Sequence, residues 1–272
     1  MSVRHARRLL ALSTAVLLIA SLAHAQATQT GTKPFEPTVG QAGKDVVWVP
    51  TPQTLVERML DLAKVTPQDF LMDLGSGDGR TVITAAKRGL RAQGIEYNPD
   101  MVDLSKRNAT AAGVSDKATF VKADLFETDF SKAQVVTMFL LPSINLRLRP
   151  KILEMKPGTR IVSNTFTMDD WQPDETSQVT EDCTSWCTAL LWIVPAKVEG
   201  TWQMPQGALT LTQKFQMVSG MLGSTAISDG RLRGEDITFT ANGAKYTGKV
   251  NGKSMSGTMS GGSGGKWSAT RK

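Results

Sequence analysis

A glycine-rich turn at residues 73–80 is the feature that most constrains this chain. It reads Asp-Leu-Gly-Ser-Gly-Asp-Gly-Arg, after the apolar run Phe70–Leu74 and before an amphipathic stretch. The alternate glycines Gly75, Gly77 and Gly79 let the backbone bend sharply and let a ligand lie directly against it. A helix that follows offers free N–H groups, which suit a carboxylate as well as a phosphate. The turn therefore predicts a ligand-binding site between a strand and a helix.

The spacing within this turn argues against a dinucleotide as the ligand. Its glycines follow the pattern G-x-G-x-G, whereas dinucleotide-binding turns have G-x-G-x-x-G. The Asp73 carboxylate would repel a pyrophosphate but can accept a hydrogen bond from an ammonium group, directly or through water. Ser76 and Asp78, which separate the glycines, are counted as part of the same candidate site.

Two further acids stand where predicted strands end. Glu96 closes the second predicted strand and is followed by Tyr97. Asp124 closes the third and is followed by the apolar Leu125. An acid after the second strand is placed to accept hydrogen bonds from ribose hydroxyls, and one after the third to accept from an adenine amino group. With Asp73, these acids should lie at one edge of a sheet, where open α/β sheets bind ligands.

Regular alternation of apolar runs and amphipathic stretches predicts the fold of residues 47–195. Such an alternation is typical of a Rossmann-like, doubly wound α/β sheet with helices on both faces. Strands are predicted at 70–74, 92–96, 118–125, 133–140, 160–165 and 189–194, and helices at 51–62, 80–89, 100–112 and 146–155. The stretch between the last two strands is interpreted as an acidic loop.

The sequence pattern changes after Pro195. Residues 196–272 hold short alternating runs separated by turns such as Asn242-Gly243, a pair that favours a tight hairpin. Helical periodicity is absent from this sequence, so we predict a small antiparallel β domain, either an open sheet or a partly closed barrel. This segment carries ten Lys and Arg against four Asp and Glu, whereas 26–195 is slightly acidic.

The first 25 residues have the pattern of a secretory signal peptide. A basic start without acids leads into an apolar run at 9–22 and then into Ala-His-Ala, which predicts cleavage after Ala25. The apolar run is short for a membrane span, which needs about 20 residues; the alternative is an uncleaved anchor with the rest of the chain facing outward. We therefore expect an exported, periplasmic protein without a stable membrane span, in which 26–46 is a linker or N-terminal arm.

The positions of the cysteines and histidines further restrict the kinds of catalytic and metal sites that the chain can form. The two cysteines, Cys183 and Cys187, are predicted to form a local disulfide in an oxidising compartment, with two reduced thiols as the alternative. The two histidines, His5 and His24, both fall within the predicted signal peptide. The mature chain would therefore lack Ser-His-Asp and Cys-His nucleophilic sites and any metal site that needs imidazole, and no metal is expected.

These motifs resemble those of the class I, seven-strand S-adenosylmethionine-dependent methyltransferases. The resemblance rests on residues 73–80, 94–98 and 123–125, and it covers roughly 47–175. It implies that S-adenosylmethionine is the methyl donor, that the three glycines cradle its methionine part, that Glu96 holds the ribose and that Asp124 with Leu125 faces adenine. The cofactor-binding set implied in this way is Asp73, Gly75, Ser76, Gly77, Asp78, Gly79, Glu96, Tyr97, Asp124 and Leu125.

The methyl acceptor is less constrained than the donor. Val-Pro-Thr-Pro at residues 49–52 resembles a subgroup that includes mitochondrial protein-lysine methyltransferases, which suggests a protein side chain, with lysine as the candidate, or else a small molecule. Residues 139–143 read Phe-Leu-Leu-Pro-Ser instead of the Asn-Pro-Pro-Tyr type motif of nucleobase methyltransferases, so no nucleic acid partner is expected. No catalytic residue is assigned.

A different class of function remains open because the predicted export conflicts with the cytoplasmic synthesis of S-adenosylmethionine. In this alternative, the chain is an exported, non-catalytic binding module that keeps the methyltransferase fold. Its C-terminal β domain would then serve as an envelope interaction module with an unknown partner. The intact glycine turn, Glu96 and Asp124 argue for the enzyme, since a decayed site would be free to lose them.

Overall fold

The computed structural model describes residues 34–262 and 264–272, and Phe35–Lys272 forms one compact unit. The predicted signal peptide (1–25) and the first part of the predicted linker lie outside the described residues. The described residues build two sheets, one mixed and one antiparallel. None of the helices among them is both long and apolar enough to cross a bilayer.

The first sheet has seven strands among the described residues. Its order is β3-β2-β1-β4-β5-β7-β6, and β7 runs antiparallel to both of its neighbours. The strands β1 to β7 are Phe70–Leu74, Arg91–Glu96, Ala118–Lys122, Val135–Met138, Arg160–Asn164, Glu175–Gln178 and Thr188–Ile193. The helices α1 to α4 are Gln53–Leu62, Arg80–Lys87, Pro99–Ala111 and Pro142–Leu153. The predicted α/β class, with a doubly wound, Rossmann-like sheet, is confirmed.

Apolar cores cover both faces of this sheet. On one face α1, α2 and α3 pack against the strands, with Leu55 and Val82 fully buried. On the other face α4 inserts Leu148 beside the buried indoles of Trp171 and Trp192. Each fully buried side chain of this size contributes about 1.5–3 kcal/mol relative to its exposed form. The two cores fix the strand ends against each other and so position the candidate site.

Several predicted elements differ from the structure in their bounds or in kind. The third strand ends at Lys122 rather than at 125, because the Asp124 carboxylate accepts the Phe126 N–H and starts a turn. Helix α4 begins at Pro142 rather than at 146, since proline suits the first turn of a helix, where no N–H partner is needed. The stretch interpreted as an acidic loop contains strand β6, which pairs with β7.

The second sheet closes into an antiparallel barrel of eight strands with one short addition. Neighbouring strands pair in chain order, and β16 returns to pair with β8, while the two-residue β11 pairs only with β10. The predicted small antiparallel β domain is confirmed, and its sheet closes fully rather than partly, which removes exposed edges. Strands β8 to β16 are Gly200–Met204, Gly207–Lys214, Met217–Leu222, Thr225–Ala226, Ser228–Arg233, Asp236–Ala241, Ala244–Asn251, Ser254–Ser260 and Gly265–Arg271.

Aromatic side chains fill the barrel interior. The Phe239 ring stacks on Tyr246 with centroids 4.6 Å apart, and Trp267 meets both edge-on. Trp202 is fully buried, and its Nε1 donates to the Val198 carbonyl at 2.7 Å. The interior of the barrel is therefore a packed core of side chains, as in other small closed barrels.

The barrel meets the first sheet at the start of β6 and the end of β7. Arg231 forms a 2.7 Å ion pair with Asp174, whose side chain is fully buried, and the Phe215 ring stacks on Trp171 at 5.7 Å. Gln216 Nε2 donates to the Gln172 carbonyl at 2.8 Å. Because β6 is parallel to β1, β2 and β4, this contact lies at the amino edge of those strands. The barrel is therefore attached opposite their carboxyl ends.

Candidate active site

A cleft open to solvent lies at the carboxyl ends of β1, β2 and β4. Nine of the ten residues implied by the resemblance line it, namely Asp73, Gly75, Ser76, Gly77, Asp78, Glu96, Tyr97, Asp124 and Leu125. Gly79 does not, because it caps α2 with φ 82° and packs behind the loop against Phe120.

The glycine loop presents bare backbone to the cleft. Gly75 and Gly77 have φ of 78° and 53°, in the left-handed region that glycine adopts without strain. A Cβ on Gly77 would lie 2.7 Å from Nε1 of Trp48, so a side chain does not fit there. Ser105 Oγ donates to the Gly77 carbonyl at 2.8 Å, and Asn108 donates to the Asp78 carbonyl at 2.9 Å. Helix α3 thus holds the loop in place.

Glu96 ties the second strand to the glycine loop. Its Oε2 accepts the Gly77 N–H at 2.9 Å, and its Oε1 accepts the Asn98 N–H at 2.9 Å. Each carboxylate oxygen can accept a further hydrogen bond. These two bonds orient the Glu96 carboxylate, and its oxygens can still accept hydrogen bonds from two hydroxyl groups, such as those of a ribose.

Asp73 is the buried acid of the site. Thr137 Oγ1 donates to its Oδ1 at 2.6 Å, and the residue is only 6% exposed. Burial, opposed by the hydrogen bond from Thr137 and reinforced by the nearby carboxylates of Asp78 and Glu96, raises the pKa of Asp73 to about 7. A cationic ligand would favour its charged form.

Asp78 is neutralised within the protein. Its carboxylate forms a two-point ion pair with Arg80, with Oδ2 2.6 Å from NH2 and Oδ1 3.0 Å from Nε. Arg80 NH1 also donates to the Thr51 carbonyl at 2.9 Å. These contacts join the glycine loop to the segment before α1, so the Asp78 side chain here supports the loop.

Residues 41–50, which span the end of the predicted arm (26–46) and the start of the predicted α/β domain, form a further wall of the cleft that was not predicted from the sequence. Lys44 Nζ lies 2.5 Å from Asp124 Oδ2 and 5.0 Å from the centre of the Tyr97 ring. The bond from Lys44 lowers the pKa of Asp124. In the sequence, only the apolar run around Trp48, inside an otherwise polar stretch, indicated that this segment packs against the rest of the folded chain.

One buried polar atom lines the cleft without a partner. Ser76 Oγ has no hydrogen-bond partner among the described residues and is buried. It lies against the backbone of β2, since a Cβ on Gly94 would be 2.4 Å away. An unpaired buried hydroxyl is costly. With the backbone cradle at Gly77 and the free acceptors of Glu96, it fits a ligand that is rich in hydrogen-bonding groups.

A second, apolar cavity adjoins the first. Both are lined by Phe139 and by residues 42–47 and 49. The Phe139 ring stacks on Phe166 with centroids 5.8 Å apart and lies 6.0 Å from the Trp186 ring. Asn145 Nδ2 and Ser163 Oγ both donate to the Phe166 carbonyl, at 3.2 and 2.7 Å. This aromatic wall was also absent from the predicted site, because its three rings follow three different strands.

The two cysteines lie beside this cavity. The structure joins Cys183 to Cys187 by a disulfide that closes a short loop before β7. Trp186 lies inside this loop, with φ of 53°. The disulfide therefore constrains the residue that forms the outer part of the aromatic wall.

Comparison with known proteins identifies the class. The family described as ANTKMT methyltransferase domain matches residues 73–175. The chain is 45% identical over 152 residues to a protein-lysine N-methyltransferase of Saccharolobus islandicus (strain REY15A), covering 55% of this chain and 94% of that protein. It is 39% identical over 120 residues to adenine nucleotide translocase lysine N-methyltransferase of Mus musculus, covering 43% of this chain and 52% of the mouse protein.

A solved structure agrees with these relatives. An RNA methyltransferase from Salinibacter ruber in complex with S-adenosyl-L-homocysteine is 48% identical, with a TM-score of 0.52, and the match covers 55% of this chain and 96% of that one. The chain is therefore a class I methyltransferase with S-adenosylmethionine as its methyl donor, and the matches favour the enzyme over the non-catalytic binding module. Within this class it belongs to the family of the Saccharolobus islandicus protein-lysine N-methyltransferase.

Proposed function

We propose that this methyltransferase transfers the methyl group to the ε-amino group of a lysine in a protein. The observation that carries the proposal is the aromatic wall of Phe139, Phe166 and Trp186 directly beside the donor cleft. An aromatic slot accommodates the alkyl stem of lysine and interacts favourably with its cationic end. The lysine acceptors in the names of the Saccharolobus islandicus and Mus musculus relatives support the same choice.

For the donor, we propose the roles that the geometry of the cleft permits. The backbone of Gly75 and Gly77 would hold the methionine part, with Asp73 near its ammonium group. Glu96 would accept from the ribose hydroxyls through the lone pairs left by Gly77 and Asn98. Asp124 and Leu125 would face the adenine ring. All of these residues line the one cleft.

The reaction needs positioning more than a dedicated base. The neutral amine nitrogen attacks the methyl carbon in line with the carbon–sulfur bond, whose electrons leave with the sulfur as a neutral thioether. The lysine must first lose a proton to water. No histidine occurs in residues 26–272, which is compatible with such a mechanism.

The acceptor class is tested by methyl transfer to a mixture. The full chain is incubated with methyl-tritiated S-adenosylmethionine and a cell extract, and the products are treated with protease or with ribonuclease. We expect label that protease releases and that acid hydrolysis recovers as methyl-lysine. Label released by ribonuclease would overturn the proposal in favour of an RNA acceptor, such as the name of the Salinibacter ruber relative indicates.

We further propose that the chain is exported, with a signal peptide at 1–25, an arm at 26–46, a catalytic domain at 47–195 and a β domain at 196–272. The Ala-His-Ala sequence before residue 26 and the disulfide between Cys183 and Cys187 support export, since disulfides are favoured outside the cytoplasm. Mass spectrometry of the protein from its native envelope fraction should give an N-terminus at Gln26. An intact N-terminus in the cytoplasmic fraction would contradict the proposal.

A further inference from the structure

Exposed apolar side chains gather at the mouth of the aromatic cavity. Among the described residues, eight large hydrophobic side chains are exposed. Three of them, Val47, Leu141 and Trp186, line this one cavity, with exposed fractions of 55%, 42% and 41%. They come from residues 41–50, the start of α4 and the disulfide loop. Such convergence marks an interaction surface, whereas single exposed hydrophobic residues are common.

The disulfide loop holds one of these side chains, Trp186. Trp186 adopts φ 53°, a conformation that costs a bulky residue free energy unless its surroundings impose it. The bond between Cys183 and Cys187 closes the chain on both sides of Trp186. The indole is thereby kept 6.0 Å from the Phe139 ring, at the border shared with the donor cleft.

The charges that line this cavity are balanced. Lys44 is the only cation among the described residues that line it, and it is paired with Asp124 and with Asp45, which lines it too. Because this cation is neutralised, the cavity lining does not repel a lysine, and its apolar side chains suit a lysine whose neighbours along the peptide are apolar.

We infer that Trp186, held in place by the Cys183–Cys187 disulfide, determines acceptor specificity by binding a lysine flanked by apolar residues. This inference rests on the proposed lysine methylation. The lysine stem would lie against the rings of Trp186 and Phe139, while its apolar neighbours cover Val47 and Leu141. Trp186 acts here as a binding and positioning residue and takes no part in the transfer of the methyl group.

The test compares two peptides of equal charge, Gly-Ala-Leu-Val-Lys-Leu-Val-Ala-Gly and Gly-Ala-Ser-Thr-Lys-Ser-Thr-Ala-Gly. Their binding to the full chain, saturated with S-adenosylhomocysteine, is measured by calorimetry. We expect the apolar peptide to bind about ten-fold more tightly to the wild type. Trp186→Ala should reduce this preference to about two-fold or less, whereas Trp186→Phe should keep most of it.

Two further variants separate specificity from folding. The double substitution Cys183→Ser with Cys187→Ser should reduce the preference for the apolar peptide as Trp186→Ala does. Met221→Ala, which removes an exposed apolar side chain of the barrel, should leave it unchanged. S-adenosylhomocysteine affinity should stay at the wild-type level in every variant, which shows that the donor cleft is intact.

The inference fails if the wild type binds the two peptides equally or binds neither, or if Trp186→Ala keeps the full preference. These results are distinguishable from failure of the proposed function, which is decided by the chemical identity of the labelled product. Methyl-lysine in the extract together with equal peptide binding would leave the activity standing and overturn the role of Trp186.

Discussion

Glu96 Oε2 and the backbone N–H of Gly77 are 2.9 Å apart, so an acid at the end of β2 is hydrogen-bonded to the loop that follows β1. This bond joins the part of the cleft proposed for ribose to the part proposed for the methionine moiety. A change at either residue should therefore affect both parts of the donor site.

Glu96→Gln should weaken binding of S-adenosylmethionine by about ten-fold or more, since hydrogen bonds to a charged group contribute about 1.5–3 kcal/mol. Calorimetry on the purified full chain measures the change. Glu199→Gln makes the same chemical change at an exposed position of the chain that leads into the barrel and should have no effect. Equal affinity of Glu96→Gln and wild type would remove Glu96 from the donor site.

Gly77→Ala should also weaken donor binding by about ten-fold or more, because the new Cβ would meet Trp48 Nε1 at 2.7 Å and displace residues 41–50. Gly113→Ala is the matched control. Gly113 has a similar positive φ of 70°, but nothing lies within 4 Å of its Cβ position. Both variants should lose about 1 kcal/mol of stability through backbone strain. If Gly113→Ala lowered donor affinity equally, strain alone would explain the result.

Asp73 should make stability fall as pH rises. Its folded pKa of about 7 lies above the ordinary value of 3.8, so between these values the folded state binds a proton that the unfolded state releases. The free energy of unfolding should therefore decrease from about pH 4 to about pH 7 and then level off. Urea unfolding at several pH values, compared with Asp73→Asn, isolates this contribution. A constant difference between the two proteins across the window would contradict the raised pKa.

Lys44→Gln should strengthen donor binding a few-fold. The Lys44 ammonium already occupies the Asp124 carboxylate, and it adds positive charge beside a cleft that must accept a sulfonium. Removing it frees an acceptor for the adenine amino group and relieves charge repulsion. Calorimetry at low and high salt should show the gain shrinking as salt screens the charges. Lys132→Gln, which makes the same change at an exposed position, is the control. Weaker donor binding by Lys44→Gln would contradict this prediction and would mean that the ion pair closes residues 41–50 over the donor.

Arg231→Ala should destabilise the chain by about 1–3 kcal/mol, because it leaves the buried Asp174 carboxylate with fewer partners. Ile193 N–H would remain as a donor to that carboxylate, at 2.9 Å. Urea unfolding measures the loss, and Lys249→Ala, which breaks an exposed pair with Asp236, should cost less. Donor affinity should be unchanged, since this contact lies at the far edge of the sheet; a large loss of donor binding would contradict that separation.

Much of the fold and of the donor cleft could be predicted from local sequence patterns. The turn at 73–80 and the acids after β2 and β3 could be predicted because residues within a few positions determine a strand-to-helix turn. Strand β6 was not predicted because it is short and polar and lies at the edge of the sheet, so its sequence shows no alternation of apolar and polar residues. The aromatic wall could not be predicted because Phe139, Phe166 and Trp186 are single rings that only the sheet order brings together.

The closed barrel limits how the C-terminal part can engage anything else. Proteins with open sheet edges recruit extended peptides by adding a strand, through main-chain hydrogen bonds. Apart from the two-residue β11, the barrel strands have both neighbours already paired. A partner on this side would meet side chains on a curved wall, in a segment where lysine and arginine outnumber the acids. Recognition through main-chain hydrogen bonds is thus largely closed to this domain, which lies at the edge of the first sheet opposite the donor cleft.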